Sequence, residues 1–322
     1  MRVPSVRRAA AILLRWGLAI LLILGVVYQF GRSYAELKAN PPSFAVSWSA
    51  LSLLALALFL FIAAEAWRAW MGALGEPMGR SHAFRVFYLS NLGKYLPGGV
   101  WNFVGRIGLA QRDGISALGV SISILLEMAC QLVGATLVAL PTLLFFPALF
   151  FPPNLPSRPF VGVGVLLLVA LGLVLAMNPK VMNVALAIGE RVSRRSIPRI
   201  PTSYAFILRM LFVYWANWLL LSLAFAALAQ ALLPEVLSPS KVFVMVGAFA
   251  LACNAGVFVF FLPGGLGVRE VVLTLLLSSR FDPPWPATLA LAGRLWILVG
   301  EVGAFGVALG LGAWARRTGR RG

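Results

Sequence analysis

The stretches LGKYLPGGVWNFVGRIG at residues 92–108 and FVFFLPGGLGVRE at residues 258–270 decide the fold of this chain. Each carries the tetrapeptide Leu-Pro-Gly-Gly within an otherwise apolar segment. Proline has no backbone N–H to donate, and paired glycines permit left-handed backbone, so the tetrapeptide ends one helix before another begins. The residues predicted to form these two helix breaks are Pro97, Gly98, Gly99, Pro263, Gly264 and Gly265.

The composition around the breaks is that of a membrane protein. Of 322 residues, 61% are hydrophobic and 11% are charged, whereas soluble proteins carry about a quarter charged residues. A soluble fold has too little interior to hide this much apolar surface. The net charge of +17 does not indicate nucleic-acid binding, because the 27 Lys and Arg fall in clusters between apolar runs. One His and two Cys provide little for metal or redox chemistry, so no cofactor is expected.

Long apolar runs predict an all-α polytopic integral membrane protein with about eight spans, since each span needs about 20 apolar residues. The candidate spans are 9–30, 46–70, 116–149, 160–177, 205–233, 242–262 and 286–313. Two further stretches, 84–112 and 265–280, are apolar but interrupted by Gly, Pro and isolated charges. We expect 265–280 to cross the membrane, and 84–112 to form either a re-entrant hairpin or two short crossings.

The polar connections set the domain organisation and the orientation. The longest, 178–204, is too short for a soluble catalytic domain, so residues 1–322 are predicted to form a single transmembrane domain. Basic residues cluster at both termini and in the 180–199 loop. Because cytoplasmic loops carry an excess of Lys and Arg, we expect both termini and this loop to be cytoplasmic, in a multi-pass protein of the cell inner membrane.

The two breaks mark an internal repeat. The pentapeptide YLPGG at 95–99 recurs as FLPGG at 261–265, an offset of 166 residues. The same offset carries the predicted span at 46–70 onto 212–236, which overlaps the one at 205–233. A helix breaker that is merely used twice is the alternative in a chain with 31 Gly and 20 Pro. The matching span positions favour duplication.

The repeat is predicted to be inverted, because three crossings separate the two breaks. The pseudo-repeat halves are 1–150 and 159–322. Opposed broken helices that meet near the bilayer midplane are typical of secondary transporters, with the substrate site between the repeats. Free N–H groups of half-helices that start at Gly99 and Gly265 would make this site attractive to an anion.

Six ionisable residues lie within apolar segments and are the candidate substrate-binding residues: Arg106, Glu127, Arg269, Glu270, Arg294 and Glu301. A charge at the bilayer centre costs at least about 2.5 kcal/mol, so such residues face a partner or water. Glu127 and Arg294 hold near-equivalent places in the two repeats, and we expect them to pair. Structural ion pairs that hold the hairpins are the alternative to substrate binding. For Lys94 two roles stay open, contact with a phosphate or snorkelling along its hairpin. Trp67 and Trp70 are interpreted as anchors at the membrane interface.

The motifs resemble those of the lysylphosphatidylglycerol synthase transmembrane region, also called the flippase domain, and its stand-alone relatives. The resemblance covers roughly residues 10–315 and rests on LPGG at 96–99 with Arg106, on Glu127, on LPGGLGVRE at 262–270, and on Arg294. It implies re-entrant helices at the centre and movement of charged phospholipids between leaflets. Some stand-alone members are associated with glycolipid or polyprenyl-phosphate pathways.

Two departures from the family pattern bear on the substrate. The synthase members carry a C-terminal aminoacyltransferase domain, whereas this sequence ends at Gly322, so we do not expect it to make a lysyl-lipid itself. The family often has Gly-Glu soon after the first Pro-Gly, where this chain has Val100-Trp101-Asn102. The resemblance therefore does not identify the lipid headgroup that this protein would recognise.

The leading hypothesis is a lipid translocase, flippase-like or scramblase-like, that moves a phospholipid or a polyprenyl-phosphate-type lipid across the cytoplasmic membrane. The sequence has no G-x-x-x-x-G-K-[ST] motif, so transport is expected to be passive or driven by a gradient. A membrane enzyme is disfavoured, because no catalytic constellation is visible. A non-transporting partner of a glycosyltransferase or lipid synthase, and a transporter of a small soluble anion, stay open as alternatives.

Overall fold

The computed structural model describes residues 41–96, 99–146, 203–258, 265 and 267–318, with isolated positions at 31, 38 and between 164 and 187. The helices in the continuous ranges are α1 (Val46–Ala73), α2 (Arg80–Asn91), a 3₁₀ helix (Leu92–Tyr95), α3 (Trp101–Arg112), α4 (Ala117–Phe145), α5 (Tyr204–Leu232), α6 (Pro239–Phe258), α7 (Val268–Leu277) and α8 (Trp285–Thr318). Every regular element in these ranges is helical, which confirms the predicted all-α class.

Five of these helices, α1, α4, α5, α6 and α8, are long and apolar enough to cross a membrane. They correspond to five of the predicted spans, and they confirm a polytopic membrane protein. The predicted span at 9–30 lies outside the described residues, and the one at 160–177 is described only at isolated positions.

Helices α1 and α5, which the repeat offset superposes, run antiparallel. Near the start of α1, the Ser43 hydroxyl donates to the carbonyl of Leu233, just after the end of α5, at 2.9 Å. Farther along α1, the carbonyl of Phe59 accepts from the Asn217 amide at 3.3 Å. Residue numbers along α1 increase in the direction in which those of their partners on α5 decrease. These opposite directions are those that the predicted inverted repeat requires of the two helices.

The remaining helices follow the same offset. It carries α3 onto 267–278, which is α7 within one residue, and it carries α4 onto 283–311, which begins two residues before α8 and otherwise lies within it. The packing is reciprocal as well, because α2 packs against α8 while its equivalent α6 packs against α4. This reciprocal packing agrees with two interlocked units, and the repeat itself stays a prediction. The exact ends of the halves, 1–150 and 159–322, fall outside the described residues and stay predictions.

Helices α2 and α3 form the first hairpin. They have twelve residues each, about 18 Å of helix at 1.5 Å per residue, against a hydrocarbon core about 30 Å thick. His82 Nε2 lies 2.9 Å from Asp113 Oδ2, so the start of α2 and the end of α3 are adjacent. Each helix is thus shorter than the hydrocarbon core, and the re-entrant hairpin at 84–112 stays a prediction.

Helices α6 and α7 form the second hairpin, and they are unequal. Helix α6 has 20 residues, while α7 has ten, or about 15 Å. Lys241 Nζ lies 5.0 Å from the ring centre of Phe281, so this hairpin also returns to where it began. The predicted crossing at 265–280 is therefore helical over only about half of the membrane thickness.

The breaks have matching backbone. Gly99 and Gly265 both adopt φ of +66°, a left-handed conformation that favours glycine. A Cβ at Gly265 would lie 3.0 Å from the Cα of Gly256, so the tip of the second hairpin also needs glycine for close approach. Of the other predicted break residues, Pro97, Gly98, Pro263 and Gly264 lie outside the described residues.

Candidate functional site

A cavity of about 340 Å³ lies where the two hairpin tips meet the long helices. Gly99 and Gly265, one from each break, both contribute to its wall. Five of the six predicted site residues line it: Arg106, Glu127, Arg269, Arg294 and Glu301. The sixth, Glu270, is buried and contacts the cavity only through Arg294. The structure therefore brings together the charges that the sequence scatters over four helices.

The helix N-termini at the breaks differ from the prediction. The helices begin at Trp101 and Val268 rather than at the glycines, because both glycines hold left-handed backbone that a helix cannot include. The N–H of Gly267, which precedes α7, donates to the Glu270 carboxylate at 2.7 Å. That N–H group is thus already used, and the expectation of free N–H groups at the start of the second half-helix is wrong for it.

Arg106 on α3 and Glu127 on α4 form a buried ion pair. Arg106 is 3% exposed and Glu127 is 8% exposed. The guanidinium carbon of Arg106 lies 4.1 Å from the ring centre of Phe87 and 5.2 Å from that of Trp67. A cation over aromatic faces is stabilised where water is excluded. Arg106 is therefore stabilised both by the Glu127 carboxylate and by the two aromatic rings.

The surroundings of Arg106 correct one sequence interpretation. Trp67 and Trp70 are completely buried and are not interface anchors. The indole N–H of Trp67 donates to the Ser123 hydroxyl at 3.0 Å, so it is satisfied within the protein and needs no interfacial water. The sequence contained no signal of this contact, because it depends on how α1 packs against α4.

Glu270 on α7 and Arg294 on α8 form the corresponding pair of the second half. Arg294 Nη1 lies 3.7 Å from Glu270 Oε1. The expected pairing of Glu127 with Arg294 is therefore wrong. Each half instead pairs the short helix after its break with the long helix that follows, because these two helices pack directly on each other. The signs are reversed between the halves, with the arginine on α3 in one and on α8 in the other.

Lys94 links the two halves. It lies in the 3₁₀ helix of the first hairpin and forms an ion pair with Glu301 of α8. The Tyr95 hydroxyl donates to the same carboxylate at 2.8 Å, and the Arg294 guanidinium carbon lies 5.2 Å from the Tyr95 ring centre. The structure thus gives Lys94 a role that the sequence did not predict, as a counter-ion for Glu301, and the two roles left open for it stay predictions.

Arg269 differs from the other cations of the cavity. Its guanidinium carbon lies 4.7 Å from the ring centre of Phe249. Its Nη2 atom is buried, and among the described residues it has no hydrogen-bond partner. No described carboxylate lies within ion-pair distance of it, whereas Lys94, Arg106 and Arg294 each have one. Arg269 is therefore the cation best placed to receive an anionic ligand.

Uncharged amides complete the lining, and sequence reasoning missed them. They are Asn91, Asn102, Gln131 and Asn254. Asn254 Nδ2 donates to the Leu132 carbonyl and to Thr136 Oγ1, each at 3.2 Å. Asn102 Oδ1 is buried with no partner among the described residues. An amide in a membrane helix is less conspicuous in sequence than a charge, so only the position of Asn102 three residues after Gly99 could have drawn notice.

Two comparisons with known proteins bear on the identity of the chain. Curated proteins give no match to it. The family model described as the lysylphosphatidylglycerol synthase TM region matches residues 12–315, which include both breaks and all six candidate site residues. On the evidence of that match, which covers nearly the whole chain and confirms the resemblance seen in its motifs, this protein belongs to the lysylphosphatidylglycerol synthase transmembrane-region family.

Proposed function

We propose that the protein is a lipid translocase that moves a lipid with a phosphate-containing headgroup across the cytoplasmic membrane. The observation that carries this proposal is the charged cavity of about 340 Å³ between the two hairpin tips, inside a bundle of membrane-spanning helices. Charges within a membrane bundle normally mark a substrate or ion pathway. A volume of this size suits a headgroup, so the acyl chains would stay in the bilayer.

The cavity residues have separable roles in this proposal. Arg269, with a buried guanidinium nitrogen that lacks a partner, receives the phosphate, because guanidinium groups bind phosphate oxygens through two parallel hydrogen bonds. Arg106 and Arg294 add positive potential while they stay paired with Glu127 and Glu270. These pairs hold the short helices in place, which keeps the polar surface open to the headgroup.

The inverted repeat supplies a means of alternating access. Two halves of opposite direction can exchange conformations, so that a central site faces one side and then the other. The Lys94–Glu301 pair joins the first hairpin to the last helix, and it is one contact across the halves that this exchange would have to rearrange. The hairpins are re-entrant in this scheme, with their tips at the cavity.

The proposal is tested in proteoliposomes that carry phospholipids labelled on an acyl chain in both leaflets. Dithionite added outside reduces only the outer-leaflet label, so reduction well beyond that fraction measures translocation. We expect such reduction with the wild-type protein and its loss in Arg269→Ala and Arg294→Ala. Wild-type rates in both variants would contradict the site assignment. A lipid mass that stays unchanged during incubation with the protein, measured before dithionite is added, would exclude covalent modification by the protein.

A small soluble anion is the second candidate, and the modest cavity volume favours it. A soluble phosphate ester would contact the same arginines without any need for a route for acyl chains. Uptake of a radiolabelled phosphate ester into proteoliposomes would support this function. Lipid movement that is insensitive to soluble phosphate esters would argue against it.

A further inference from the structure

We infer that the cavity selects a monoanionic phosphodiester lipid whose headgroup is an uncharged polyol, against amine headgroups and against phosphomonoesters. This inference rests on the proposed function and names its substrate class. It differs from the lipid in the family description, lysylphosphatidylglycerol, whose headgroup carries amines. Three independent features of the cavity lead to it.

The first feature is that every described carboxylate at the cavity already has a cationic partner. Glu127 pairs with Arg106, and Glu301 pairs with Lys94. Glu270 accepts the N–H of Gly267 with Oε2, and its Oε1 has Arg294 Nη1 at 3.7 Å as its counter-ion, although no described group hydrogen-bonds to it. An ammonium headgroup would have to displace one of these partners, and a buried cation that loses its counter-ion is strongly destabilising.

Two of the aromatic rings that line the cavity, the other usual recognition element for ammonium groups, already face a cation of the protein. Arg106 lies over Phe87, and both Lys94 and Arg294 lie over Tyr95. The cavity therefore presents neither a spare carboxylate nor these two rings to an amine.

The second feature is the charge balance. Four cations, Lys94, Arg106, Arg269 and Arg294, stand against three carboxylates, Glu127, Glu270 and Glu301. In their ordinary ionised forms these groups have a net charge of +1. The excess charge belongs to Arg269, the cation without a described carboxylate partner. A phosphodiester carries one negative charge and neutralises it. A phosphomonoester carries between about 1.5 and 2 negative charges at neutral pH, which leaves an excess negative charge in a desolvated site.

The third feature is the set of amides. Asn91, Asn102 and Gln131 line the cavity, and Asn102 Oδ1 is a buried acceptor without a partner in the described part of the chain. Amides both donate and accept hydrogen bonds, and so do hydroxyl groups. A polyol beyond the phosphate can donate to Asn102 Oδ1 and also accept from the amide NH₂ groups of the lining, whereas an ammonium group can only donate.

The test compares acyl-labelled lipids in the same dithionite assay. We expect phosphatidylglycerol to move at least about tenfold faster than phosphatidylethanolamine, phosphatidylcholine or phosphatidic acid, equivalent to about 1.4 kcal/mol of discrimination. If the amine lipids or phosphatidic acid move as fast as phosphatidylglycerol, the inference fails while the proposed function stands. If no lipid moves, the proposed function fails.

A binding measurement keeps the inference testable without transport. In detergent, dihexanoyl phosphatidylglycerol should raise the unfolding temperature of the wild-type protein more than dihexanoyl phosphatidylethanolamine or dihexanoyl phosphatidic acid does. Equal shifts for all three lipids would overturn the inference.

A charge variant tests the reasoning directly. Lys94→Gln removes the counter-ion of Glu301 and should raise the rate of phosphatidylethanolamine relative to phosphatidylglycerol by about tenfold. Lys241→Gln is the matched control, because it removes the lysine of the exposed Lys241–Glu235 pair, outside the cavity. The control should keep the wild-type ratio. An unchanged ratio in a folded Lys94→Gln protein would contradict the claim that paired carboxylates exclude amines.

Discussion

Lys94 of the first hairpin is ion-paired with Glu301 of α8, 207 residues later in the chain. The pair joins the break of one half to the last helix of the other, and the adjacent Tyr95 hydroxyl donates to the same carboxylate. Contacts within each half, such as Arg106–Glu127, hold a hairpin in its own unit. Lys94–Glu301 instead couples the two units at the cavity wall, where a change in one half can reach the other.

Glu301→Gln should slow translocation more than it lowers stability. The substitution leaves Lys94 without its counter-ion but keeps an oxygen for the Tyr95 hydroxyl, and the Lys94 side chain is 30% exposed, so water can solvate it in part. The measurement is the dithionite rate together with the unfolding temperature in detergent. Glu235→Gln, in the exposed pair with Lys241, is the control and should change neither. A wild-type rate in Glu301→Gln would show that the pair does not couple the halves.

Glu127→Gln should destabilise the protein by about 3 kcal/mol, the usual effect of breaking a buried ion pair from one side. Arg106 is 3% exposed and would be left buried with a neutral partner. Thermal unfolding in detergent checks this, with an expected fall of roughly 5 °C or more.

The double variant Arg106→Met with Glu127→Leu separates ion pairing from simple loss of packing. Because replacing both members of a buried pair by apolar residues is often neutral or stabilising, the double variant should be more stable than Glu127→Gln. Additive destabilisation by the two changes would contradict the role of the pair as a mutual counter-ion.

Arg269→Gln and Arg294→Gln should differ in stability. Arg294 lies 3.7 Å from the buried Glu270, so its loss leaves a carboxylate without a cation and should lower the unfolding temperature. Arg269 has no described carboxylate partner, and its Nη2 is unsatisfied, so Arg269→Gln should leave the unfolding temperature nearly unchanged. An equal loss of stability in both variants would indicate that Arg269 is structural.

Gly265→Ala should destabilise more than Gly75→Ala. Both glycines have positive φ, +66° and +84°, so both substitutions introduce backbone strain of about 1–3 kcal/mol. A Cβ at Gly265 would also lie 3.0 Å from the Cα of Gly256, whereas one at Gly75 meets nothing within 4 Å. Unfolding temperatures of the two variants isolate the contact at the hairpin tip. Equal effects would show that close approach at the tip is unimportant.

The inverted repeat predicts that the hairpins open on opposite sides of the membrane. Asp113 follows α3, and Asp282 follows α7, and both are exposed. In a background with Cys130→Ser and Cys253→Ser, a membrane-impermeant maleimide should label Asp113→Cys from the cytoplasmic side and Asp282→Cys from the outer side. Labelling of both from one side would contradict the inverted arrangement and the predicted orientation.

The sequence predicts the elements of this fold well where single residues carry the signal. Proline lacks a backbone N–H and two successive glycines permit left-handed backbone, so the Leu-Pro-Gly-Gly breaks at 96–99 and 262–265 are visible directly, and the offset between them locates the predicted repeat. Buried charges are costly, so Arg106, Glu127, Arg269, Glu270, Arg294 and Glu301 stand out in their apolar segments. The structure brings all six to the same place.

What the sequence does not predict is the pairing, because pairing depends on which helices pack together. Glu127 and Arg294 match in repeat position, yet α4 packs on α3 and α8 on α7, so each finds its partner locally. Trp67 is of a residue type that is common at membrane interfaces, but its ring packs against the Arg106 guanidinium inside the protein. Asn102 carries no charge and has no periodic signal, so its place at the cavity is evident only from the fold.

The most direct test of the central claim is the initial dithionite rate for acyl-labelled phosphatidylglycerol in proteoliposomes, measured for the wild-type protein, Arg269→Gln and Lys241→Gln. A lipid translocase that binds phosphate through Arg269 predicts rapid reduction of inner-leaflet label by the wild-type protein and by Lys241→Gln. It also predicts a rate at least about tenfold lower for a folded Arg269→Gln protein. Inner-leaflet label that stays protected with the wild-type protein, or equal rates in all three, would contradict it.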